Sequence, residues 1–195
     1  MIGTKRYPFP ETFAEAAALP QNDRKSLFGR QCIKAWNGLW QMEAFLRCVK
    51  PKIVIEFGCG EGMHTLYMGL WATLNDAAVY AYDLSNEAIP AAEIAAGCRL
   101  NCYFNLACDV LSVDPLPMYP FASRKKPKLL YCDINVGEVQ KHAPKLIAGD
   151  YCVLHSWEHV YRHEDVESLI RDGILEYWMP EAWKSSGENM GFRRR

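Results

Sequence analysis

The sequence predicts an α/β fold in which a mostly parallel sheet is covered by helices on both faces. Three observations lead to this prediction. After Pro51, short apolar runs alternate with segments of helical periodicity, and this alternation is typical of crossover units around a parallel sheet. The first run passes at once into a glycine-rich stretch, "IVIEFGCGEG" at positions 53–62. Each of the first five runs also has an acid or a histidine at its end.

Composition fits a globular chain and excludes two classes of partner. Of the 195 residues, 50% are hydrophobic and 23% are charged, and the formal net charge is -1, which is ordinary for a globular protein. Basic residues cluster only at 124–126 and 193–195, so we expect no nucleic acid partner. No apolar run approaches the ~20 residues that a membrane span needs, so we expect no membrane partner.

Cysteine usage predicts a reducing, cytoplasmic location. The chain has eight cysteines; none forms a C-x-x-C pair, and several lie inside apolar runs, as buried thiols do. The segment after Met1 lacks the charged and then apolar pattern of a signal peptide, and reduced thiols are the rule in the cytosol. Cys98, Cys102 and Cys108 lack the second paired unit of a structural zinc site.

Residues 1–50 are predicted as an N-terminal helical arm or lid, separate from a domain at 51–195. Residues 1–21 are rich in proline around a short alanine-rich helix. From Asp23 to Val49, apolar residues recur at helical spacing, which predicts helix. The apolar content of this segment favours a homodimer.

The second part divides into elements by periodicity and by residues that begin or end helices. In chain order we predict strand 52–57, helix 63–74, strand 78–83, helix 86–97, strand 102–109, strand 128–133, helix 138–146, strand 150–155 and helix 160–171. Prolines in 112–127 disfavour a helix there. Residues 173–183 and 189–195 are predicted as two extended segments joined by a polar turn.

The ends of the five predicted strands carry the residues of a predicted ligand site. These residues are Glu56, Asp83, Asp109, Asp133 and His155. In parallel sheets, ligands bind at the carboxyl ends of the strands, near the point where the strand order reverses. Asp83 is placed to accept hydrogen bonds from both hydroxyls of a ribose, and Asp109 to accept one from the exocyclic amine of a purine.

The glycine loop after the first strand predicts a ligand without a pyrophosphate. Gly58, Gly60 and Gly62 alternate along the loop, whereas a dinucleotide fingerprint requires G-x-G-x-x-G and a phosphate loop requires Gly-Lys-Ser/Thr. Glycine is used where another group approaches the backbone closely. Together with the two acids Asp83 and Asp109, the loop therefore indicates a nucleoside that carries no phosphates.

In order and spacing, "VIEFGCGEG", "AYDLS", "ACD" and "YCD" resemble the class I S-adenosylmethionine-dependent methyltransferases. More narrowly, the stretches 49–70, 132–157 and 188–195 resemble the cephalosporin-hydroxylase-like and rhamnosyl O-methyltransferase group. The resemblance implies a Rossmann-like sheet of seven strands, the last of them antiparallel.

The same resemblance assigns the cofactor-binding residues. It places the glycine loop against the methionine part of S-adenosylmethionine, Glu56 beneath that loop, Asp83 on the ribose and Asp109 on the adenine. The loop residues concerned are Gly58, Cys59, Gly60 and Gly62.

The implied activity is methyl transfer to the hydroxyl of a small molecule, such as a sugar or a secondary metabolite. A hydroxyl acceptor must lose a proton to a base or to a cation that lowers its pKa. The resemblance puts Asp133 at the first of two acidic positions that hold Mg²⁺ in metal-dependent members. Ser156 occupies the second position, and serine is a poor magnesium ligand. We therefore assign no metal ligand, and Asp133 and His155 are the candidate catalytic residues, with His155 as general base.

Two other functions fit the same residues. A protein that binds S-adenosylmethionine without transferring its methyl group would keep the glycine loop, and Ser156 favours this alternative. An enzyme that cleaves S-adenosylmethionine without an acceptor would keep it too. Trp157 and Tyr161 are candidates for lining an acceptor pocket, whereas His159 and His163 are predicted on a solvated surface.

Overall fold

A seven-stranded sheet organises the computed structural model, which describes residues 25–27, 30–32, 36–113, 127–184 and 188–195. Its strands are β3 (Ile53–Phe57), β4 (Ala78–Tyr82), β5 (Cys102–Asn105), β6 (Lys128–Cys132), β7 (Tyr151–His155), β8 (Leu175–Tyr177) and β9 (Asn189–Arg194). The strand order is β5-β4-β3-β6-β7-β9-β8. β9 is antiparallel to both of its neighbours, and the other pairings are parallel. This confirms the predicted α/β class and the seven strands with an antiparallel last strand.

Six helices precede or connect the strands of this sheet in the described residues. They are α1 (Trp36–Val49), α2 (Met63–Leu74), α3 (Ile89–Gly97), α4 (Val136–His142), α5 (His163–Arg171) and α6 (Pro180–Lys184). The chain moves from β3 towards β5 on one side and from β6 towards β7 on the other. Because crossover connections are right-handed, this reversal places α2 and α3 on one face of the sheet and α4 on the opposite face. The strand order also reverses between β3 and β6, and ligand sites form at such a point.

The structure corrects three predicted boundaries near the sheet edge. The third strand ends at Asn105 instead of Asp109. Ala107 adopts a positive φ of 53° and turns the chain towards Asp83. The carbonyl of Asp83 then accepts a hydrogen bond from Cys108 N. The third helix begins at Ile89, three residues later than predicted, because residues 86–88 form a turn. The helix predicted at 160–171 begins at His163, since residues 156–161 form a loop.

Three further predictions are corrected elsewhere in the chain. A small antiparallel hairpin, β1 (Lys25–Leu27) and β2 (Arg30–Cys32), stands where helix was predicted from Asp23 onwards. The helix predicted at 138–146 begins at Val136 and ends at His142, followed by a 3₁₀ turn. Residues 180–184 form a helix and not an extended segment, because proline is favoured at a first helical position. The short helix predicted within 1–21 and most of the proline-rich segment lie outside the described residues.

Helix α1 packs into the same core as the sheet. Phe45 is fully buried, with its ring centroid 5.7 Å from that of Tyr151 in β7 and 5.2 Å from that of Trp178. Burying a phenylalanine side chain contributes about 2 to 3 kcal/mol. The last part of the predicted arm therefore helps to stabilise the sheet beside β7. A lid role for residues 1–50 stays a prediction.

Two further observations concern the predicted compartment. Seven cysteines are free thiols: Cys48, Cys59, Cys98, Cys102, Cys108, Cys132 and Cys152. Within those ranges, no helix combines the length and apolar character needed to cross a membrane. The cytoplasmic location stays a prediction.

Candidate functional site

The glycine loop leaves β3 with three residues in left-handed conformations. The φ angles of Gly58, Gly60 and Gly62 are 84°, 50° and 80°, a region that glycine enters without steric cost. A Cβ atom added to Gly58 would lie 2.4 Å from Cγ1 of Ile134, and one added to Gly62 would lie 2.6 Å from Cβ of Ala91. Packing within the protein therefore requires glycine at Gly58 and Gly62, whether or not a ligand also approaches them.

Gly60 differs because the space over it is open. A Cβ atom added there would have no neighbour within 4 Å. The carboxylate of Asp83 lies beside this space and accepts hydrogen bonds from Gly60 N and Ser85 N, each at 2.8 Å. Each carboxylate oxygen has a second lone pair, so the group keeps capacity for hydroxyl donors. The open backbone and the anchored carboxylate fit an amino-acid moiety and a ribose.

Glu56 supports the loop from inside the protein. Its carboxylate is buried and accepts hydrogen bonds from Thr65 Oγ1 and from His64 Nδ1, the latter at 3.0 Å. Both partners belong to the first turn of α2, whose partial positive charge favours a carboxylate. The resemblance implied a place beneath the loop for Glu56, and its role in cofactor binding stays a prediction.

Cys59 lies between two of the loop glycines as a buried, protonated thiol. Burial is the main cause that raises the pKa of this thiol well above its ordinary range, and the charges of Glu56 and Asp83 raise it further. Since the thiolate is the reactive form of cysteine, the raised pKa makes Cys59 a poor nucleophile.

Asp109 lies on the loop after β5 and not at a strand end. Its carboxylate accepts hydrogen bonds from Ser112 Oγ and from Leu111 N, the latter at 2.8 Å. The bond from Ser112, followed by that from Leu111, lowers the pKa of Asp109. The side chain is thus an ionised cap of its own turn, and the adenine contact stays a prediction.

The two candidate catalytic residues meet at the ends of β6 and β7. Nε2 of His155 lies 3.8 Å from Oδ1 of Asp133, and both side chains are partly exposed. Asp133 also adjoins the glycine loop, since its carbonyl oxygen would lie 3.0 Å from a Cβ atom on Gly58. The ring of Tyr131 is stacked near His155, with centroids 6.2 Å apart. The predicted catalytic pair is therefore next to the predicted cofactor loop.

Glu138 is a buried acid, under the influence of the Asp109 and Asp83 charges, that the sequence analysis did not select. It lies in the first turn of α4, only 2% exposed. Burial raises the pKa of its carboxyl group to about 7; the hydrogen bond from Asn135 N opposes the shift, and the charges of Asp109 and Asp83 add to it. The stretch "NVGE" after the fourth predicted strand was the available signal, because N-x-x-E is a helix-capping pattern. That pattern predicts the hydrogen bond but not the burial.

The aromatic residues after β7 belong to the core. Trp157 is 7% exposed and Tyr161 is fully buried. The Tyr161 hydroxyl donates to the carbonyl of Asn135 at 3.2 Å and accepts from Ile134 N at 3.3 Å. Neither side chain is well placed to line an open acceptor pocket, so packing explains both.

The histidines and Ser156 near β7 do not form a metal centre. His159 lies in a turn, whereas His163 begins α5 and its Nδ1 lies 2.7 Å from the Tyr177 hydroxyl. Ser156 has a positive φ of 59° at the start of the loop. Among the residues that the structure describes, no group of three or more histidine, cysteine or acidic side chains is arranged to hold a metal ion.

Solved structures with a similar fold include S-adenosylmethionine-dependent methyltransferases. The SAH-bound methyltransferase PaMTH1 of Podospora anserina is 14% identical, with a TM-score of 0.60 over 83% of this chain and 80% of that one. CmcI-N160 with SAH is 17% identical, with a TM-score of 0.60 over 98% and 95% of the two chains. A SAM-dependent methyltransferase from Aquifex aeolicus is 16% identical, with a TM-score of 0.52 over 78% and 87%.

These likenesses define the fold class. The chain has the fold of the S-adenosylmethionine-dependent methyltransferases, which confirms the resemblance at the level of fold. The likeness to CmcI-N160 extends over nearly the whole of both chains. No sequence profile of a protein family matches the chain, and no curated protein matches it significantly.

Proposed function

We propose that the chain is an S-adenosylmethionine-dependent methyltransferase that methylates a hydroxyl group of a small molecule. The observation that carries the proposal is the meeting of two sets of residues at one sheet edge. The open loop position Gly60 and the carboxylate of Asp83 form the first set, and Asp133 and His155 form the second. They follow four neighbouring strands around the reversal of strand order.

The first set would hold the cofactor. Gly60 leaves the backbone open to the methionine part, and Asp83 offers a charged acceptor to the ribose hydroxyls, which makes strong hydrogen bonds. The bond between Gly60 N and Asp83 fixes these two features relative to each other. When bound, S-adenosylmethionine supplies a methyl group on a sulfonium, and the C–S electron pair stays on sulfur as the new O–C bond forms.

The second set would handle the acceptor. His155 Nε2 accepts the proton of the hydroxyl as its oxygen attacks, and general-base catalysis of this kind contributes about 10² to 10⁴ in rate. Asp133, 3.8 Å away, stabilises the imidazolium that forms. The remaining task of the protein is to align the oxygen with the methyl group and exclude water.

Calorimetric titration with S-adenosylmethionine and S-adenosylhomocysteine tests the cofactor site. We expect Asp83→Ala to weaken binding by about ten-fold or more, because a charge-assisted pair of hydrogen bonds is lost. Asp172→Ala, which removes an exposed carboxylate at the end of α5, is the matched control and should bind normally. Absence of binding by the wild-type protein would overturn the proposal.

A screen of hydroxyl compounds with methyl-labelled cofactor tests the transfer. We expect a labelled product with the wild-type protein and its loss in His155→Asn, with cofactor binding retained. Cofactor breakdown without an acceptor would instead support the cleaving enzyme. Binding with no turnover of any compound would support the non-catalytic binding protein.

A further inference from the structure

A chain of buried amides leads from a backbone carbonyl to the imidazole of His155. Gln41, from α1, is fully buried, and its Nε2 lies 3.3 Å from the carbonyl oxygen of Ala182 in α6. Since a carbonyl oxygen only accepts hydrogen bonds, the atom of Gln41 that faces it must be the amide nitrogen. The orientation of the Gln41 amide is therefore set by the backbone, and its Oε1 points the other way.

The second amide is oriented by the first. Asn189, at the start of β9, is 3% exposed, and its Nδ2 lies 3.1 Å from Gln41 Oε1. Because that oxygen can only accept, the Asn189 nitrogen is the donor and Oδ1 is turned towards His155. The distance from Asn189 Oδ1 to His155 Nδ1 is 2.9 Å. An amide oxygen accepts, so Nδ1 of His155 carries a hydrogen.

The proton on Nδ1 decides the chemistry of the other ring nitrogen. A neutral imidazole carries one N–H group, so Nε2 presents a lone pair. We infer that Asn189 and Gln41 form a positioning relay that holds neutral His155 in its Nδ1–H tautomer, with Nε2 as the proton acceptor on the side of Asp133. The catalytic meaning of the relay rests on the proposed function, whereas the tautomer itself does not.

The relay also restricts which groups of a methyl acceptor can bind beside His155. Nε2 of His155 and Oδ1 of Asp133 are 3.8 Å apart, and in this tautomer both are hydrogen-bond acceptors. A group that lies against both must carry a hydrogen to donate, as a hydroxyl does. After the hydroxyl proton moves to Nε2, a cationic ring faces an anionic carboxylate, which stabilises the product of proton transfer.

Long-range proton–nitrogen correlation spectra of the ¹⁵N-labelled full chain, at a pH where imidazoles are neutral, test the tautomer directly. The His155 signals are assigned by their loss in His155→Gln. We expect a protonated Nδ1 and an unprotonated Nε2 in the wild-type protein. His163, whose Nδ1 lies near a hydroxyl that can donate or accept, gives an internal comparison. A protonated Nε2 in neutral His155 would overturn the relay.

Two substitutions at position 189 separate positioning from packing. Asn189→Asp removes the donor to Gln41 but keeps an oxygen acceptor for His155 Nδ1–H, so it should keep the Nδ1–H tautomer. Asn189→Ala should shift His155 towards the Nε2–H form. Once a methyl acceptor has been identified, Asn189→Ala should lower kcat at least about ten-fold, while the affinity for the cofactor should stay within two-fold of the wild-type value. An unchanged tautomer in Asn189→Ala would overturn the role of Asn189.

The outcomes separate failure of the relay from failure of the proposed function. If Asn189→Ala does not fold, the wild-type spectrum still tests the tautomer of His155. The variant Gln41→Leu, which releases the orientation of the Asn189 amide, then tests whether the relay sets that tautomer. A tautomer that behaves as expected in a chain that transfers no methyl group supports the relay and overturns only the proposed function. A changed tautomer with unchanged kcat would overturn the catalytic role of the relay.

Discussion

Glu138 contains a carboxyl group that folding makes harder to ionise. Its pKa rises from 4.5 to about 7, chiefly because the side chain is buried. A carboxyl whose pKa is higher in the folded state gives no penalty below pH 4.5, where both states are protonated. Between pH 4.5 and about 7 the unfolded state ionises this group while the folded state keeps it protonated, so folding stability is lost over this interval.

We predict that Glu138→Gln removes this loss. A shift of this size corresponds to about 3 kcal/mol at pH values above 7, and glutamine keeps the acceptor oxygen for Asn135. Urea unfolding of both proteins at a series of pH values measures the difference, which should grow in favour of the variant from pH 4.5 to 7. Glu167→Gln, on the exposed surface of α5, is the charge-matched control. Wild-type stability that rises relative to Glu138→Gln over this range would contradict the prediction.

At the scale of elements, the loop between β3 and α2 combines two tasks that substitutions can separate. Gly58 is enclosed by Ile134 and the backbone of Asp133, whereas Gly60 faces open space. Both have positive φ angles, so alanine is strained at either position, by about 1 to 2 kcal/mol. Only at Gly58 does the added methyl group also collide with the protein.

We predict that Gly58→Ala destabilises the fold by about 3 kcal/mol or more, the sum of backbone strain and overpacking. Gly60→Ala should cost only about 1 to 2 kcal/mol but should weaken S-adenosylmethionine binding. Thermal unfolding and calorimetric titration of the two variants give both quantities, and each variant is the control for the other. Equal losses of stability would show that the packing around Gly58 is readily displaced.

Local patterns predicted some elements well and others poorly. The helix Met63–Leu74 was predicted at its true limits, because a buried strand and a glycine cluster precede it. The third strand was extended to Asp109, because nothing in "NLACD" marks the turn at Ala107, where a non-glycine residue takes a positive φ. A hairpin forms between the strands Lys25–Leu27 and Arg30–Cys32. The helical spacing of apolar residues does not reveal this strand pairing.

At the scale of the whole molecule, an ion pair joins the starts of two strands, at the end of the sheet opposite the candidate site. Lys128, which begins β6, lies 3.3 Å from Asp150, and both side chains are almost fully buried. Asp150 also accepts hydrogen bonds from the backbone N–H groups of Lys128 and Ile147. Lys52, which precedes β3, forms an exposed pair with Asp76 at 3.8 Å.

We predict that Lys128→Met destabilises the protein by about 3 to 5 kcal/mol, because it leaves the buried charge of Asp150 without its partner. Lys52→Met, at the start of the neighbouring strand, is the matched control and should cost at most about 1 kcal/mol. Chemical unfolding near neutral pH measures both. Similar small losses in the two variants would mean that water reaches Asp150.

The sequence predicted the site as far as topology alone determines it. Residues at the ends of parallel strands meet at one end of the sheet, so the sequence could place Asp83, Asp133 and His155 at the same end as the glycine loop, and their roles stay predictions. Asn189 and Gln41 were not selected, since neither carries a local pattern that marks a functional residue. Their contact depends on β9 inserting beside β7, and no spacing within the sequence specifies that arrangement.

The separation of Gln41 from Asn189 along the chain also affects the order in which the contacts of the candidate site form during folding. These residues are 148 positions apart, whereas Gly60 and Asp83 are 23 apart. Closing the longer loop costs about 1.7 kcal/mol more in chain entropy. During folding, the contact between Gly60 and Asp83 should therefore form early, and His155 should gain its orientation only when the last strand docks. A partly folded chain would thus contain the loop contact before the imidazole of His155 is held in place.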